Sequence, residues 1–160
     1  MVETGIHNNV TSVTGVLNFG EASGVPVINE AIRTGESLGE TVILDCPPGS
    51  ACSVMESVED ADYCILVAEP TAFGFHNFKM VYELVTLLGK KCGVVINKED
   101  QKYDPLEDFC NEKDIPILLH IPYNSNIAKL CGEGHILSEE SDEGRELFKT
   151  LLNKIGGALK

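Results

Sequence analysis

The residues best placed for chemistry lie in Thr41–Ser50, TVILDCPPGS. An acid, Asp45, follows the apolar run Val42-Ile43-Leu44, and two prolines and a glycine come after it. A carboxylate there can meet a metal or a phosphate, and Gly49 lets a backbone N–H approach an anion. The same pattern is also that of a capped strand end with a Pro-Pro turn, and composition does not choose between the two. Cys46 and Cys52 flank the turn.

Positioning such groups requires a scaffold, and the chain supplies the pattern of one. Val42–Leu44 has the continuous apolar character of a buried parallel strand, broken by prolines that continue neither strand nor helix. Ala61–Ala68, Lys91–Ile96 and Ile115–Ile121 repeat that character and end at Glu69-Pro70-Thr71, Asn97-Lys98 and Pro122. In open α/β sheets ligands sit beyond the carboxyl ends of the strands, so these ends are the places to watch. Between them the sequence predicts helices over Phe73–Leu88, with Gly89 as the stop, Asp104–Lys113, Asn126–Cys131 and Glu143–Leu159. Val25–Thr34 reads as a helix with Pro26 in its first turn, Ser53–Glu59 as a helical turn, and Ser12–Phe19 as a strand. Met1–Thr11 is polar and reads as a ragged, disordered beginning. Strands alternating with helices predict an α/β fold with a mainly parallel sheet flanked by helices, as one domain over residues 1–160.

Composition narrows the function classes. The chain has 160 residues, 43% of them hydrophobic, enough for a real core. Its net charge of −13, from 25 acids against 12 bases, makes nucleic acid a poor partner. No segment resembles a signal peptide or a membrane span, so no membrane partner and a cytoplasmic location are expected. The six cysteines form no CxxC pair and match no zinc or ferredoxin spacing. They read as reduced thiols, and neither an iron–sulfur cluster nor a structural metal is expected in this chain.

Taken in order, the strand ends read DCPPG, EPTAFG, NK and IPYN. This series resembles the second half of the MinD-type P-loop ATPases. It is most similar to the subfamily with an inserted ferredoxin domain, in which a GEASG-like turn, D-x-P-G-x-x-C, EPT-x-x-G-x-H, INK and IPY recur in this order. Here the matching segments are Gly20–Gly24, Asp45–Cys52, Glu69–His76, Ile96–Lys98 and Ile121–Tyr123, and the likeness runs from about Val13 to Ile136.

The resemblance implies a partial P-loop NTPase (SIMIBI-type) domain and assigns roles. Asp45 would hold Mg²⁺ through water, and Gly49 would sense the γ-phosphate within a mobile switch. Asn97 would hydrogen-bond an adenine edge, Lys98 would lay its stem along the base, and Pro122 and Tyr123 would border base and ribose. Without the resemblance, Asn97 reads as a turn cap and Thr71 as a helix cap. His76 has no evident partner that would make it a general base. Asn77 and Asn124 stand where the family usually has acids.

No GxxxxGK[ST] occurs in the 160 residues, and the family's cluster cysteines are missing too. The chain therefore reads as the carboxyl-terminal part of an ATPase, an expressed fragment or a truncated gene product. Its intact form would use ATP and Mg²⁺ and carry 4Fe-4S clusters in the inserted segment. The expected partner is the missing amino-terminal P-loop half, with a homodimer as a further possibility, and the chain alone is expected to be inactive. The alternative is a stand-alone, non-catalytic α/β module that binds a protein or, weakly, a nucleotide. In the family's sheet the P-loop strand lies between the strands ending at Asp45 and Glu69. Its absence predicts that Val42–Asp45 pairs directly with Cys64–Val67, or across a dimer, and that Cys46–Cys52 is disordered or non-native. A segment of Met1–Phe19 filling the slot is the other way to satisfy the edges.

Overall fold

The computed structural model describes residues 1–49 and 52–159. The chain divides into two compact units, Met1–Ala61 and Asp62–Lys160.

The second unit is the α/β body. Its sheet has the order β3-β4-β5, from β3 (Tyr63–Ala68), β4 (Lys91–Glu99) and β5 (Ile117–Pro122), all parallel. The crossovers are α3 (Ala72–Leu87) and α4 (Asp104–Glu112), and after β5 come α5 (Ser125–Gly132), α6 (Leu137–Glu140) and α7 (Asp142–Ala158). β4 is central, and Val94, Val95 and Ile96 are buried without alternation, as expected of a strand covered on both faces. β3 alternates instead: Cys64, Leu66 and Ala68 are buried, while Ile65 and Val67 are exposed. α3 and α4 meet through aromatic rings, with Phe109 edge-on to Phe75, Phe78 and Tyr82 at centroid distances of 5.6 to 6.0 Å. Leu106 and Cys110 lie fully buried on α4.

The helix boundaries follow local chemistry. Thr71 caps α3 by accepting from Gly74 N–H at 3.0 Å. A Cβ on Gly74 would collide with the Glu69 carbonyl, so the Glu69-to-Phe75 turn needs glycine there. At the other end Gly89 adopts φ +67°, while Gly89 N–H and Lys90 N–H donate to Thr86 and Val85 carbonyls. This is the glycine-terminated closure predicted for that position.

The first unit is a hairpin carrying two helices. β1 (Val2–His7) pairs antiparallel with β2 (Val10–Gly15), and α1 (Val25–Leu38) and α2 (Cys52–Val58) follow. The expectation of a disordered Met1–Thr11 is corrected: Asn8-Asn9 forms a two-residue turn, with Asn8 at φ +53°, a left-handed conformation that asparagine tolerates. The strand expected before Asp45 is corrected as well. Thr41–Leu44 belongs to neither sheet, and β1 pairs only with β2. An apolar β-branched run becomes a strand only where a neighbour takes its N–H and C=O groups. Among the described residues the parallel sheet consists of β3, β4 and β5, and no strand from Val42–Asp45 or Met1–Phe19 belongs to it.

Candidate functional site at the carboxyl ends of the strands

The carboxyl ends of β4 and β5 bring four of the predicted residues together. Asn97 and Lys98 lie in β4 just before its last residue, Glu99, and Pro122 ends β5 with Tyr123 next in the chain. The two strands are locked there by Tyr123 N–H donating to the Glu99 carbonyl at 2.8 Å. Three steps on β4, from Ile96 to Glu99, oppose two on β5, from His120 to Pro122, so β4 carries a bulge. Lys98 sits in that bulge at φ +56°, a left-handed conformation uncommon outside glycine.

The bulge sets the side chains. Asn97 Oδ1 accepts from Lys98 N–H at 2.9 Å. The amide thus performs a local backbone-capping job, the ordinary reading of an asparagine after a strand. Lys98 Nζ reaches across to Glu69 Oε1 at 2.6 Å, joining the ends of β3 and β4. Hydrogen bonding and charge from Glu69 raise the Lys98 pKa above its usual value. With both side chains substantially exposed, such a pair contributes little to stability. Its consequence is orientation: it directs the ammonium toward β3. Tyr123 is 57% exposed, and Pro122 is exposed beside it. Asn124 caps α5, accepting from Asn126 N–H at 2.8 Å. That accounts for an asparagine at this position.

Asp45 and Gly49 belong to the first unit. Asp45 is exposed on irregular backbone. Gly49 has φ +96°, a conformation open to glycine and strained for other residues. Cys46 lies half-buried between them, its thiol pushed up by burial, with Ser57 acting in the opposite direction. Ser50 and Ala51 of the expected switch lie outside the described residues, and Cys52 opens α2. His76 is exposed on α3.

Sequence reasoning missed two features near this site. The Lys98–Glu69 bridge links residues far apart in sequence and follows only from β3 and β4 being neighbours. The second is a cluster of Glu99, Glu107 and His120, taken up below. The polar residues at the ends of β3 and β4 were the available signal for the first.

No protein-family model matches the chain. Curated relatives include two uncharacterized proteins of Methanocaldococcus jannaschii. One is 30% identical over 131 residues, covering 81% of this chain and 45% of the relative. The other is 25% identical over 149 residues, covering 89% and 50%. An uncharacterized ATP-binding protein of the same organism is 27% identical over 113 residues, 69% of this chain and 44% of its own length. The chain thus spans about half the length of the curated relatives it matches.

Among solved structures, the cell division ATPase MinD of Pyrococcus furiosus superposes with a TM-score of 0.66 at 21% identity, covering 82% of this chain and 57% of that one. The MinD cell division protein of Aquifex aeolicus gives 0.64 at 16% identity, covering 82% and 61%. Among the described residues no helix is long and apolar enough to cross a membrane. The parallel three-stranded sheet flanked by helices is the α/β fold of the MinD-type P-loop ATPases over the part of it that this chain spans.

Proposed function

We propose that this chain is the switch II and base-binding half of a MinD-type ATPase whose intact form couples ATP binding and hydrolysis to iron–sulfur redox or cluster handling. The observation that carries this reading is the convergence of Asn97-Lys98 and Pro122-Tyr123 at the carboxyl ends of adjacent parallel strands, where α/β sheets bind ligands. The likeness to an uncharacterized ATP-binding protein and to MinD agrees with it. The iron–sulfur part rests on the ordered motif series alone.

In the intact enzyme Asp45 would hold Mg²⁺ through water, and the Gly49 N–H would face the γ-phosphate. Mg²⁺ held there would supply charge neutralisation during phosphoryl transfer. On the base side, Asn97 Oδ1 already accepts from Lys98 N–H. Its second lone pair and its NH₂ remain for an adenine edge. Lys98 would have to leave Glu69 before its stem could lie along the base.

The test joins this chain to an amino-terminal half carrying a glycine-rich P-loop, from the reading frame upstream if one is present. Asp45→Asn in the joined protein is expected to suppress hydrolysis far more than nucleotide binding, since the metal-side carboxylate matters most in the transition state. Turnover at the unsubstituted rate refutes the assignment. The chain alone should bind ATP·Mg²⁺ very weakly and hydrolyse none, because it lacks a phosphate cradle. Micromolar binding by the chain alone, seen by calorimetry, would overturn that expectation.

A further inference from the structure

Glu99, Glu107 and His120 come from β4, α4 and β5, yet each offers a ligand atom and these atoms all lie within 4.8 Å of one another. Among the described residues this is the one group of three or more metal-ligating side chains so gathered. His120 Nδ1 stands 3.1 Å from Glu99 Oε2. The β4 bulge brings Glu99 into this position, and the first turn of α4 brings Glu107. The two carboxylates are each 23% exposed and the imidazole 43%, so the group is sheltered but open to solvent.

We propose that these three side chains form an exchangeable binding site for a divalent transition metal ion of the zinc type, completed by water. One imidazole nitrogen with two carboxylates suits borderline ions, whereas Mg²⁺ and Ca²⁺ favour all-oxygen shells. Metal–ligand bonds of about 2.0–2.2 Å in a tetrahedron place neighbouring donors roughly 3.3–3.5 Å apart. The His120–Glu99 pair already has nearly that separation, and the Glu107 ligand atom lies within 4.8 Å of both. Lys102 Nζ, 3.7 Å from Glu107 Oε2, is the competing cation, and it lies closer to Asp104, at 2.9 Å.

A histidine–glutamate contact by itself is commonplace, and His135 Nδ1 makes one with Glu140 at the same 3.1 Å. The third donor separates the two. The expectation of no structural metal weighed cysteine spacing only, and this donor set contains no thiol. A bound ion would tie α4 to the strand ends that carry Asn97-Lys98 and Pro122-Tyr123. The site is independent of the nucleotide reading and stands without it.

Isothermal titration of the full chain with zinc chloride tests the site. One ion per chain is expected, with affinity falling about tenfold or more in His120→Ala and in Glu107→Gln, and unchanged in His135→Ala. Lys102→Gln should tighten binding by removing the competing charge. Absence of zinc binding by the unsubstituted chain would overturn the proposal. So would zinc that both His120→Ala and Glu107→Gln retain in full, since thiols would then hold it. Should His120→Ala fail to fold, Glu107→Gln decides, because it keeps side-chain size while removing the ligand charge.

Discussion

The two units treat similar apolar sequence in opposite ways. In Asp62–Lys160 the runs Ala61–Ala68, Lys91–Ile96 and Ile115–Ile121 find one another as neighbours in a sheet, and Val94, Val95, Ile96, Leu106 and Leu118 are buried to within a few per cent. Among the described residues of Met1–Ala61 only Val54, Ser57 and Val58 are buried, and α1 buries no residue fully. There Val42-Ile43-Leu44, as apolar as any strand in the second unit, forms no ladder, and Ile43 stays 81% exposed. Composition does not separate the two regions. What differs is whether a run has a strand beside it and a helix above it.

Thiol reactivity should show the contrast most strongly. Cys52 is exposed in the first unit, whereas Cys110 is fully buried in the second. Iodoacetamide should reach Cys110 only through opening of the core, on the order of a thousandfold more slowly than Cys52. Burial, with the Glu107 charge adding to it, pushes the Cys110 thiol up to about 11 from an ordinary 9.0. A folded value above the unfolded one favours the folded state fully below pH 9, and that contribution is lost as pH rises toward 11. The protection should therefore narrow across that window. Equal labelling rates for the two cysteines at pH 8 would erase the distinction between the units.

Core truncation comes next. Leu106→Ala should cost about 3 kcal/mol in urea unfolding, whereas Ile43→Ser should stay within about 0.5 kcal/mol. If the two cost the same, Ile43 is buried in solution by something that covers the first unit. Gly74→Ala places a methyl group against the Glu69 carbonyl and should cost about 1–3 kcal/mol, again measured by urea midpoint. A neutral result would mean that the Glu69–Phe75 turn can relax. The smallest effect has the opposite sign. The Tyr63 hydroxyl is buried and has no hydrogen-bond partner among the described residues, so Tyr63→Phe should stabilise by about 1 kcal/mol. A loss of stability there would reveal a water or side-chain partner for that oxygen.

Much of the second unit was legible in the sequence because its signals are local. The spacing of Phe78, Val81, Leu84, Val85 and Leu88, the Thr71 cap and the Gly89 stop set α3 without reference to anything distant. The strands β3, β4 and β5 were legible as continuous apolar runs ending in polar residues. The first unit was harder. Asn8-Asn9 is a hairpin turn, but Glu3-Thr4-Gly5 before it is too polar to announce a strand, so Met1–Thr11 read as ragged. For the candidate site, the sequence alone determined that Asn97, Lys98, Pro122 and Tyr123 stand at strand ends, whereas Asp45 and Gly49, expected after another strand, follow none. Only the tertiary structure decided that Thr41–Leu44 forms no strand, that Lys98 bridges to Glu69, and that Glu107 from a helix meets Glu99 and His120 from two strands. The reason is physical: a helix closes its own hydrogen bonds within a few residues, whereas a strand and a ligand cluster exist only through partners distant in sequence.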